Sequence, residues 1–566
     1  MARVLLVSFA GYPYTPSSLL PDNGLAALAA ALLDHGHAVR VLDFGTVKTL
    51  ARLYPETIAR RVRPLAERLF LEGRALSPLE KARFLWEARR LDAHQKREME
   101  RIAAEVASEA AAFGADLLGL KLWNGDGFTG AVAIARQARA LLPGIRVIAG
   151  GPQVEYFREH ILDYTDAFDI LVCGDGELLL PELASALTSG REWRSLPGIL
   201  WREGGRTRAN PPAPGACLND LPLPCYDPVV YPSLRDDHKI RIAVLDESRG
   251  CPNRCAFCIH PVKSGGTWRV KTAERVAREV RHVMDALGTR YLIYAGSNTS
   301  GETAVAIARQ LIVEGLDVRY GCFGHVRGMS RADFDLLARS GCAAIFYGLE
   351  SADPELLRRA FRKPLDVDAA ARVICDTRAA GIRAIASIIY PAPFETPQSR
   401  QRTLDFLRRV RPDSVPVTAP GLIPGTPWER EAAAFGFEKI AREDFWAYSL
   451  TYKIKLLYPP RLWAPLPYRL NGKDSRMLFA ETESFIADLE RSGLLTNVPH
   501  EMALMAEALG EGHDLRSFRD RCRVLFLSGA AAEIARMVEY LNQSVRVDAK
   551  TAARGQGFAP AGAVAG

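Results

Sequence analysis

The sequence predicts an α/β protein with a parallel sheet and crossover helices at the N terminus, a partial barrel in the middle and a helical C-terminal region. Three observations predict this architecture. Short apolar runs alternate with helical patterns up to about residue 190, and the same alternation returns over residues 240–430. Apolar residues at helical spacing then continue over residues 440–546. A chain of 566 residues is long enough for about three domains.

The first predicted domain covers residues 1–190 and has a Rossmann-like sheet. Its strands are predicted at residues 3–7, 39–43, 116–122, 146–149 and 169–173. Residues 47–112 are charged and lack strand patterns, so they are predicted as a helical insertion. Ligands of such open sheets bind beyond the carboxyl ends of the strands. Gly150 and Gly151 at the end of one strand allow the backbone to approach a large flat ligand closely, and a tight turn is the alternative role of this pair.

Residues 191–239 are predicted as a linker, and residues 240–430 as a partial (β/α)6 barrel of the TIM-like type. Its strands are predicted at residues 241–246, 291–295, 318–322, 343–347, 383–390 and 414–418. Functional groups of such barrels gather at the carboxyl ends of the strands. Three polar candidates lie on or after the fourth and fifth strands: Glu350, Ser351 and Ser387.

A cysteine motif with C-x3-C-x2-C spacing follows the first barrel strand and contains Cys251, Cys255 and Cys258. Three thiolates on one loop can hold three irons of a 4Fe–4S cluster and leave the fourth iron open to substrate or cofactor. The alternatives are a zinc site and chance clustering. Zinc usually takes four ligands in two separated pairs, and no second pair stands nearby in the sequence. The spacing therefore favours a cluster.

Together with Phe257, which directly precedes the third cysteine, the motif resembles the signature of the radical SAM superfamily. This resemblance implies a 4Fe–4S cluster and S-adenosylmethionine (SAM) as cofactors, with Phe257 packed on the adenine. The run from Gly348 to Ser351 resembles the segment that binds the ribose and amino-acid parts of SAM, which implies SAM contacts from Gly348, Glu350 and Ser351. Ser387 is a further SAM-contact candidate, and the alternative role for Glu350 is a surface carboxylate.

With the cysteine motif downstream, residues 1–190 resemble the cobalamin-binding domain of cobalamin-dependent radical SAM methylases. The resemblance rests on the Gly150-Gly151 pair and the run from Gly174 to Glu177, and it implies cobalamin contacts from Gly150, Gly151, Gly174 and Glu177. Many cobalamin proteins supply a histidine to the lower face of cobalt from the loop after the first strand, but residues 8–16 contain none. We therefore expect cobalamin to bind without a histidine ligand from the protein, with Arg68 of the insertion as a candidate for the lower face.

Within this family the layout is most similar to the tryptophan 2-C-methyltransferases of thiostrepton biosynthesis. The resemblance implies polar transfer of a methyl group from methylcobalamin to carbon 2 of the tryptophan indole, and a low-potential electron donor that primes the cobalamin. It also implies a carboxylate at the open iron. Glu274 and Glu247 flank the cysteine loop, and Glu274 is favoured, with an interaction with the helix dipole as its alternative role.

Other functions stay open at this point. Within the family, the chain could be a radical methylase that acts on an sp3 carbon or a peptide, or a cobalamin-dependent ring-forming enzyme. Outside the enzymes, it could be a carrier or sensor that holds an iron–sulfur cluster and cobalamin without catalysis. The extra N-terminal cysteines of the methylthiotransferases are absent, which argues against methylthiolation of transfer RNA.

The C-terminal part is predicted as a helical domain over residues 431–547, which covers the mouth of the barrel, and a disordered tail over residues 548–566. Aromatic residues are dense where this domain begins. Such residues are more often part of a core, but they could also line a site for a planar aromatic substrate. They are Trp428, Trp446, Tyr448, Tyr452, Trp463 and Tyr468.

Composition limits the partners. The net charge of +7 is spread along the chain and is weak evidence for nucleic-acid binding. No apolar run reaches the length of a membrane span. An iron–sulfur protein with free thiols belongs in a reducing compartment. The sequence therefore predicts a cytoplasmic protein that binds a small molecule and neither nucleic acid nor a membrane.

Overall fold

The computed structural model describes residues 1–236, 238–325, 329–363, 365–440, 445–453 and 464–546. Over these ranges it confirms the predicted fold class: an N-terminal α/β domain, an open parallel barrel and a helical C-terminal region. Trp463 and the predicted tail lie outside the described residues. No described helix combines the length and the apolar character that a membrane span requires.

The N-terminal domain is built on one sheet with the strand order β2-β1-β3-β4-β5-β6-β7. Strands β1 to β5 are parallel, and the order changes direction between β1 and β3, which is where open sheets form their ligand crevice. The strands are β1 (Arg3–Ser8), β2 (Ala38–Asp43), β3 (Leu117–Lys121), β4 (Arg146–Gly150), β5 (Ile170–Val172), β6 (Ile199–Glu203) and β7 (Arg206–Ala209).

Helices cover both faces of this sheet, and the predicted insertion is helical throughout most of its length. The longest of its helices begins at a capping box, in which Ser77 and Glu80 bond each other's backbone, and it ends at Gly114. The helices of this domain are α1 (Asn23–Asp34), α2 (Val47–Leu53), α3 (Glu56–Phe70), α4 (Pro78–Phe113), α5 (Asp126–Leu141), α6 (Pro152–Phe157), α7 (Glu159–Tyr164) and α8 (Gly176–Ser189).

One boundary of the sequence interpretation needs correction. The segment 191–239 is predicted as a linker, but β6 and β7 lie in it and extend the N-terminal sheet as antiparallel strands. Residues 199–201 at the start of β6 are buried, whereas β7 is largely exposed. The two strands are short and antiparallel to β5, so they lack the strand–helix alternation that identifies the rest of the sheet.

The central domain is an open barrel of parallel strands in the order β15-β14-β13-β12-β11-β8. All of its predicted strands are confirmed. A small antiparallel hairpin, β9–β10, lies between the first two barrel strands. The strands are β8 (Ala243–Leu245), β9 (Ser248–Gly250), β10 (Trp268–Val270), β11 (Tyr291–Tyr294), β12 (Arg319–Gly324), β13 (Cys342–Glu350), β14 (Arg383–Ile389) and β15 (Val417–Thr418). The helices are α9 (His260–Lys263), α10 (Ala273–Leu287), α11 (Gly301–Val313), α12 (Arg331–Arg339), α13 (Pro354–Arg359), α14 (Val367–Ala379) and α15 (Pro397–Val410).

The C-terminal region packs against both other domains. Helix α19 lies against β12 and β13, where the His500 ring contacts Phe323 and Phe346 edge to face. Gly321 allows this approach, since a Cβ there would stand 2.9 Å from His500 Cδ2. The elements are α16 (Pro427–Arg430), β16 (Phe437–Lys439), α17 (Phe445–Thr451), β17 (Tyr468–Leu470), α18 (Ser475–Arg491), α19 (His500–Ala508), α20 (Leu515–Ser528) and α21 (Ala531–Ser544).

The aromatic residues at the start of this region include core residues. Trp428 is fully buried and its indole N–H donates to Ala360 O at 2.7 Å. Tyr468 is 5% exposed and donates to Pro420 O. Trp446 stacks on His160 of α7 at 4.3 Å between ring centroids. These contacts join the C-terminal region to the barrel and to the N-terminal domain.

Candidate cofactor-binding site

A cavity of about 680 Å³ lies between the N-terminal domain and the barrel. One wall is the carboxyl edge of the N-terminal sheet, and four predicted ligand-binding residues line it: Gly150, Gly151, Gly174 and Glu177. The other wall is formed by residues on either side of the cysteine motif: Ser248 to Gly250 before it, and His260 and Val262 to Gly265 after it. The cavity therefore borders both the predicted ligand-binding strand ends and the residues that flank the cysteine motif.

Several polar atoms in the cavity wall are buried without a hydrogen-bond partner among the described residues: His260 Nδ1, Ser264 Oγ and Arg269 Nε. A buried polar atom without a partner costs free energy, so native structures rarely keep one. Burial, with Lys263 nearby, lowers the pKa of His260 to about 4, which leaves a neutral imidazole at neutral pH. A ligand with several amide groups and a phosphate, such as cobalamin, offers the partners that this wall lacks.

The cysteine motif forms the connection of the β9–β10 hairpin. The Cys258 N–H donates to Cys255 O at 3.1 Å, and the Ala256 N–H donates to Phe361 O at 2.8 Å, so the loop is anchored to the barrel. None of the three thiols is in a disulfide bond. Burial raises the pKa of Cys255 to about 11 and that of Cys258 to about 12, so metal binding must displace these protons.

The three free thiols of this loop are possible ligands of a metal centre. Among the described residues, no group of three His, Cys, Asp or Glu side chains could hold a single metal ion. A zinc site would require such convergence. A 4Fe–4S cluster does not, because each thiolate binds a different iron. Three free thiols on one loop are the donor set that the predicted cluster requires.

Gly250 sets the path of the chain into this loop. Its φ is +83°, and a Cβ there would stand 1.9 Å from Thr267 O on the opposite side of the hairpin. We expect Gly250→Ala to lower the free energy of unfolding of the hairpin region by at least about 2 kcal/mol and to reduce the iron bound per chain, since strain and clash add. Hydrogen exchange and iron analysis measure the two effects.

Gly288→Ala is the matched control, because Gly288 also has a positive φ, +63°, but nothing lies within 4 Å of the position that a Cβ would occupy there. We expect this variant to bind iron normally. Equal iron content and equal protection from exchange in the two variants would contradict the role of Gly250.

The residues predicted to bind SAM meet beside the cysteine loop. Glu350 is the last residue of β13, has a φ of +64° and is 5% exposed. Lys363 Nζ donates to Glu350 Oε1 at 2.9 Å and to Gly348 O at 2.6 Å. Burial alone would lower the pKa of Lys363, but the charges of Glu350 and Cys255 outweigh it and raise this pKa. Sequence reasoning misses Lys363, because it lies in a loop 13 residues beyond Glu350.

The other candidates on this side differ in their availability. Ser387 on β14 pairs in register with Gly348, so the two share one strand-end position. Ser351 is 3% exposed and its hydroxyl bonds Thr403 and the Asp353 N–H, which makes it part of the loop's own structure. Phe257 packs edge to face on Phe361 at 5.7 Å and also contacts Trp428.

The two candidate carboxylates for the open iron are placed differently. Glu247 is 1% exposed and accepts hydrogen bonds from Gly296 N, at 2.9 Å, and from the Thr299 hydroxyl. Burial raises its pKa. Glu274 is exposed in the first turn of α10. This position favours the alternative role of Glu274 beside the helix N terminus over the predicted ligand role.

Arg68 lies at the end of α3 and pairs with Glu80 and Glu72 of the insertion, outside the set of residues that lines the cavity. The role of Arg68 at the lower face of cobalt stays a prediction, since its side chain pairs within the insertion and does not line this cavity. A different cation lines the cavity at the switch point of the sheet: Lys121 ends β3 and pairs with Asp22 at 2.6 Å. The sequence of the loop after β1 contains no histidine, but nothing in that loop predicts that Lys121 lines the cavity.

Glu177 and its neighbour Asp175 face the barrel. Both accept hydrogen bonds from Arg249, at 2.6 Å and 2.8 Å respectively. The Arg249 guanidinium also pairs with Asp246 at 2.6 Å. Burial alone would raise the pKa of Asp246, but Arg249 and Lys271 lower it to about 2, so this carboxyl stays ionised. Glu177, predicted as a cofactor contact, thus lines the cavity while it binds an arginine of the barrel.

Two family profiles match the chain. The Radical SAM superfamily matches residues 248–407, and the B12 binding domain matches residues 79–184. The first implies a 4Fe–4S cluster and SAM, and the second implies cobalamin. The first match begins on β9 and ends within α15, so it contains the cysteine loop and Glu350. The second contains Gly150, Gly151, Gly174 and Glu177.

Curated relatives match the chain at low identity. An uncharacterized methyltransferase of Pyrococcus horikoshii is 26% identical over 333 residues, which is 58% of this chain and 71% of the relative. Hopanoid C-3 methylase of Methylococcus capsulatus is 25% identical over 268 residues, which is 46% of this chain and 50% of the relative.

Among solved structures, the radical S-adenosylmethionine methyltransferase TsrM from Kitasatospora setae has the same fold across most of the chain. Its complex with cobalamin and a 4Fe–4S cluster superposes with a TM-score of 0.61 at 18% identity, and covers 95% of this chain and 100% of TsrM. Its complex with tryptophan and a SAM analogue gives a TM-score of 0.62 at 17% identity, with 92% and 99% covered. At these identities the likeness concerns the fold.

Proposed function

We propose that this chain, a cobalamin-dependent radical SAM protein, is a methyltransferase that carries a methyl group from SAM by way of cobalamin to a carbon atom of a small molecule. The observation that carries the proposal is a cavity that the edge of the N-terminal sheet shares with the residues on either side of the cysteine motif. Because both walls belong to one cavity, a ligand on the sheet edge and a group bound at the loop can exchange a methyl group without leaving the protein.

In this proposal the residues of the site form three groups, each of which binds one cofactor. Cys251, Cys255 and Cys258 hold the cluster. Glu350, kept in place by Lys363, accepts hydrogen bonds from SAM beside it. The cavity wall, with its unpartnered His260, Ser264 and Arg269 atoms, binds cobalamin. When bound, cobalamin supplies a carrier that can both accept and donate a methyl group.

We further propose tryptophan as the substrate, with methylation at carbon 2 of the indole by polar transfer, for the biosynthesis of a thiopeptide antibiotic. The support is the similarity of fold to TsrM over nearly the whole chain. An indole carbon of this kind is nucleophilic, so the transfer requires no substrate radical. A low-potential electron donor is part of the proposal, because it primes the cobalamin. The hopanoid relative supports a second candidate, methylation of an unactivated sp3 carbon.

The test of the substrate is product analysis without oxygen. The protein, reconstituted with cluster and cobalamin and primed once with reductant, receives tryptophan and SAM with a deuterated methyl group. We expect 2-methyltryptophan that carries the label, without 5′-deoxyadenosine. Tryptophan that carries deuterium at carbon 2 of its indole should lose that deuterium on methylation. Formation of 5′-deoxyadenosine under strong reductant, with no labelled tryptophan, would instead support the sp3-carbon candidate and refute tryptophan.

A further inference from the structure

An ion-pair cluster joins the hairpin that carries the cysteine loop to the N-terminal domain. Arg249 on β9 and Arg269 on β10 are paired directly across the hairpin. Both guanidinium groups bind Asp175, which precedes α8 of the N-terminal domain. Cross-strand neighbours project from the same face of a sheet, so the two arginines can bind the same carboxylate. The cysteine loop begins two residues after Arg249.

The contact is dense and largely shielded from water. The side chains of Asp175 and Glu177 are 10% and 7% exposed, and that of Arg249 is 22% exposed. Arg249 binds Glu177 through two nitrogens, at 2.6 Å and 3.2 Å. Arg269 also donates to Ala216 O at 2.8 Å, and the Ala216 N–H donates to Asp175 at 2.7 Å. Such charge-assisted, bidentate contacts fix orientation as well as distance.

All of these groups are close to the two cofactor sites. Arg249, Arg269, Asp175 and Glu177 line the cavity, and Asp175 and Glu177 follow Gly174 at the carboxyl end of β5. The run from Gly174 to Glu177 is the segment that the sequence interpretation assigns to ligand contact. The carboxylates of that segment, Asp175 and Glu177, instead form ion pairs with Arg249 and Arg269 of the hairpin.

We propose that Arg249, with Asp175 and Glu177, is a positioning element that fixes the cobalamin site relative to the iron–sulfur cluster. It does so by tying the base of the cysteine loop to the strand end that carries cobalamin. The inference rests on the proposed function only in requiring that both cofactors bind. It makes Arg249 a positioning residue, because it acts through the loop and the strand end.

The distance between the two metal centres tests this directly. In the holoprotein, reduced so that cobalt(II) and the one-electron-reduced cluster are both paramagnetic, pulsed electron paramagnetic resonance measures their dipolar coupling. We expect one narrow distribution of couplings in the unmodified protein. Glu177→Gln and Arg249→Gln should broaden it while each centre keeps its own spectrum, and Arg249→Lys should restore it in part. Glu182→Gln is the matched control, since Glu182 is exposed on the same helix.

An unchanged distribution in Glu177→Gln and Arg249→Gln, or equal broadening in Glu182→Gln, would overturn the proposal. If Arg249→Gln does not fold, Glu177→Gln alone decides, because it removes one partner and leaves Asp175 bound. The readout requires no methyl transfer, so an inactive protein with normal coupling would refute the proposed function and leave this inference standing. Where transfer is measurable, we expect the rate to fall about 10- to 100-fold, since small misplacements of reacting groups cost rates of this size.

Discussion

Replacing Cys255 by alanine should abolish cluster binding. Cys255 is buried and is the middle one of the three predicted cluster ligands. Without it only two thiolates remain, and they leave two of the four irons without a protein ligand. We expect the iron and labile sulfide per chain to fall to background in the anaerobically reconstituted variant. SAM affinity should fall about 10-fold or more, since the open iron is lost as a contact. Iron analysis, visible absorption and equilibrium dialysis with labelled SAM measure these effects.

Cys375→Ala serves as the matched control, because Cys375 is a free, exposed cysteine on α14. This variant should bind iron and SAM as the unmodified protein does, and its cobalamin content should be unchanged. Cobalamin binding should also survive in Cys255→Ala, because the sheet edge supplies the other wall of the cavity. Iron content in Cys255→Ala equal to that in Cys375→Ala would refute the assignment of the cluster site.

Replacing Lys363 by methionine should produce the largest loss of stability. The side chains of Lys363 and Glu350 are 12% and 7% exposed, so the variant leaves a buried carboxylate without its cation. Removing one partner of a buried ion pair typically costs about 3–5 kcal/mol. We expect the midpoint of urea unfolding to fall accordingly and SAM affinity to fall with it. The double variant Lys363→Met, Glu350→Gln should recover part of the stability, because it removes the uncompensated charge.

The pH dependence of the same pair has a definite sign. The pKa of Lys363 is raised in the folded protein, so its contribution to stability is present below the ordinary lysine pKa. It is lost only as the pH rises through the higher folded value. The difference in stability between the unmodified protein and Lys363→Arg should therefore stay constant through the neutral range. For the ion pair itself, the contradicting result would be that the double variant Lys363→Met, Glu350→Gln is less stable than Lys363→Met alone.

Much of the fold could be predicted from the sequence because its signals are local. The apolar runs of β1 and β13 and the spacing of the cysteines depend on neighbours within a few residues, and the structure confirms those strands. The strands β6 and β7 escape prediction because short antiparallel strands carry little pattern of their own. They acquire their place in the sheet from the pairing of Leu171 with Leu200, far along the chain.

The residues around the cavity are harder to predict, because their roles depend on contacts between domains. Glu177 is identified from its place after a strand, but the sequence does not show that Arg249 approaches it across the domain boundary. Arg68 is a candidate for its charge, and in the structure Glu80 and Glu72 pair with it. Nothing in the sequence around Lys363 predicts its role, because its partner Glu350 lies on a different element.

The central claim is that the chain moves a methyl group from SAM through cobalamin, and the most direct measurement is the fate of SAM. The protein would be reconstituted without oxygen, with the cluster present and with or without cobalamin, and both nucleoside products of SAM would be quantified. We predict S-adenosylhomocysteine that forms only when cobalamin and the cluster are both bound. S-adenosylhomocysteine formed equally without cobalamin, or none under any reductant while both cofactors are retained, would contradict the account.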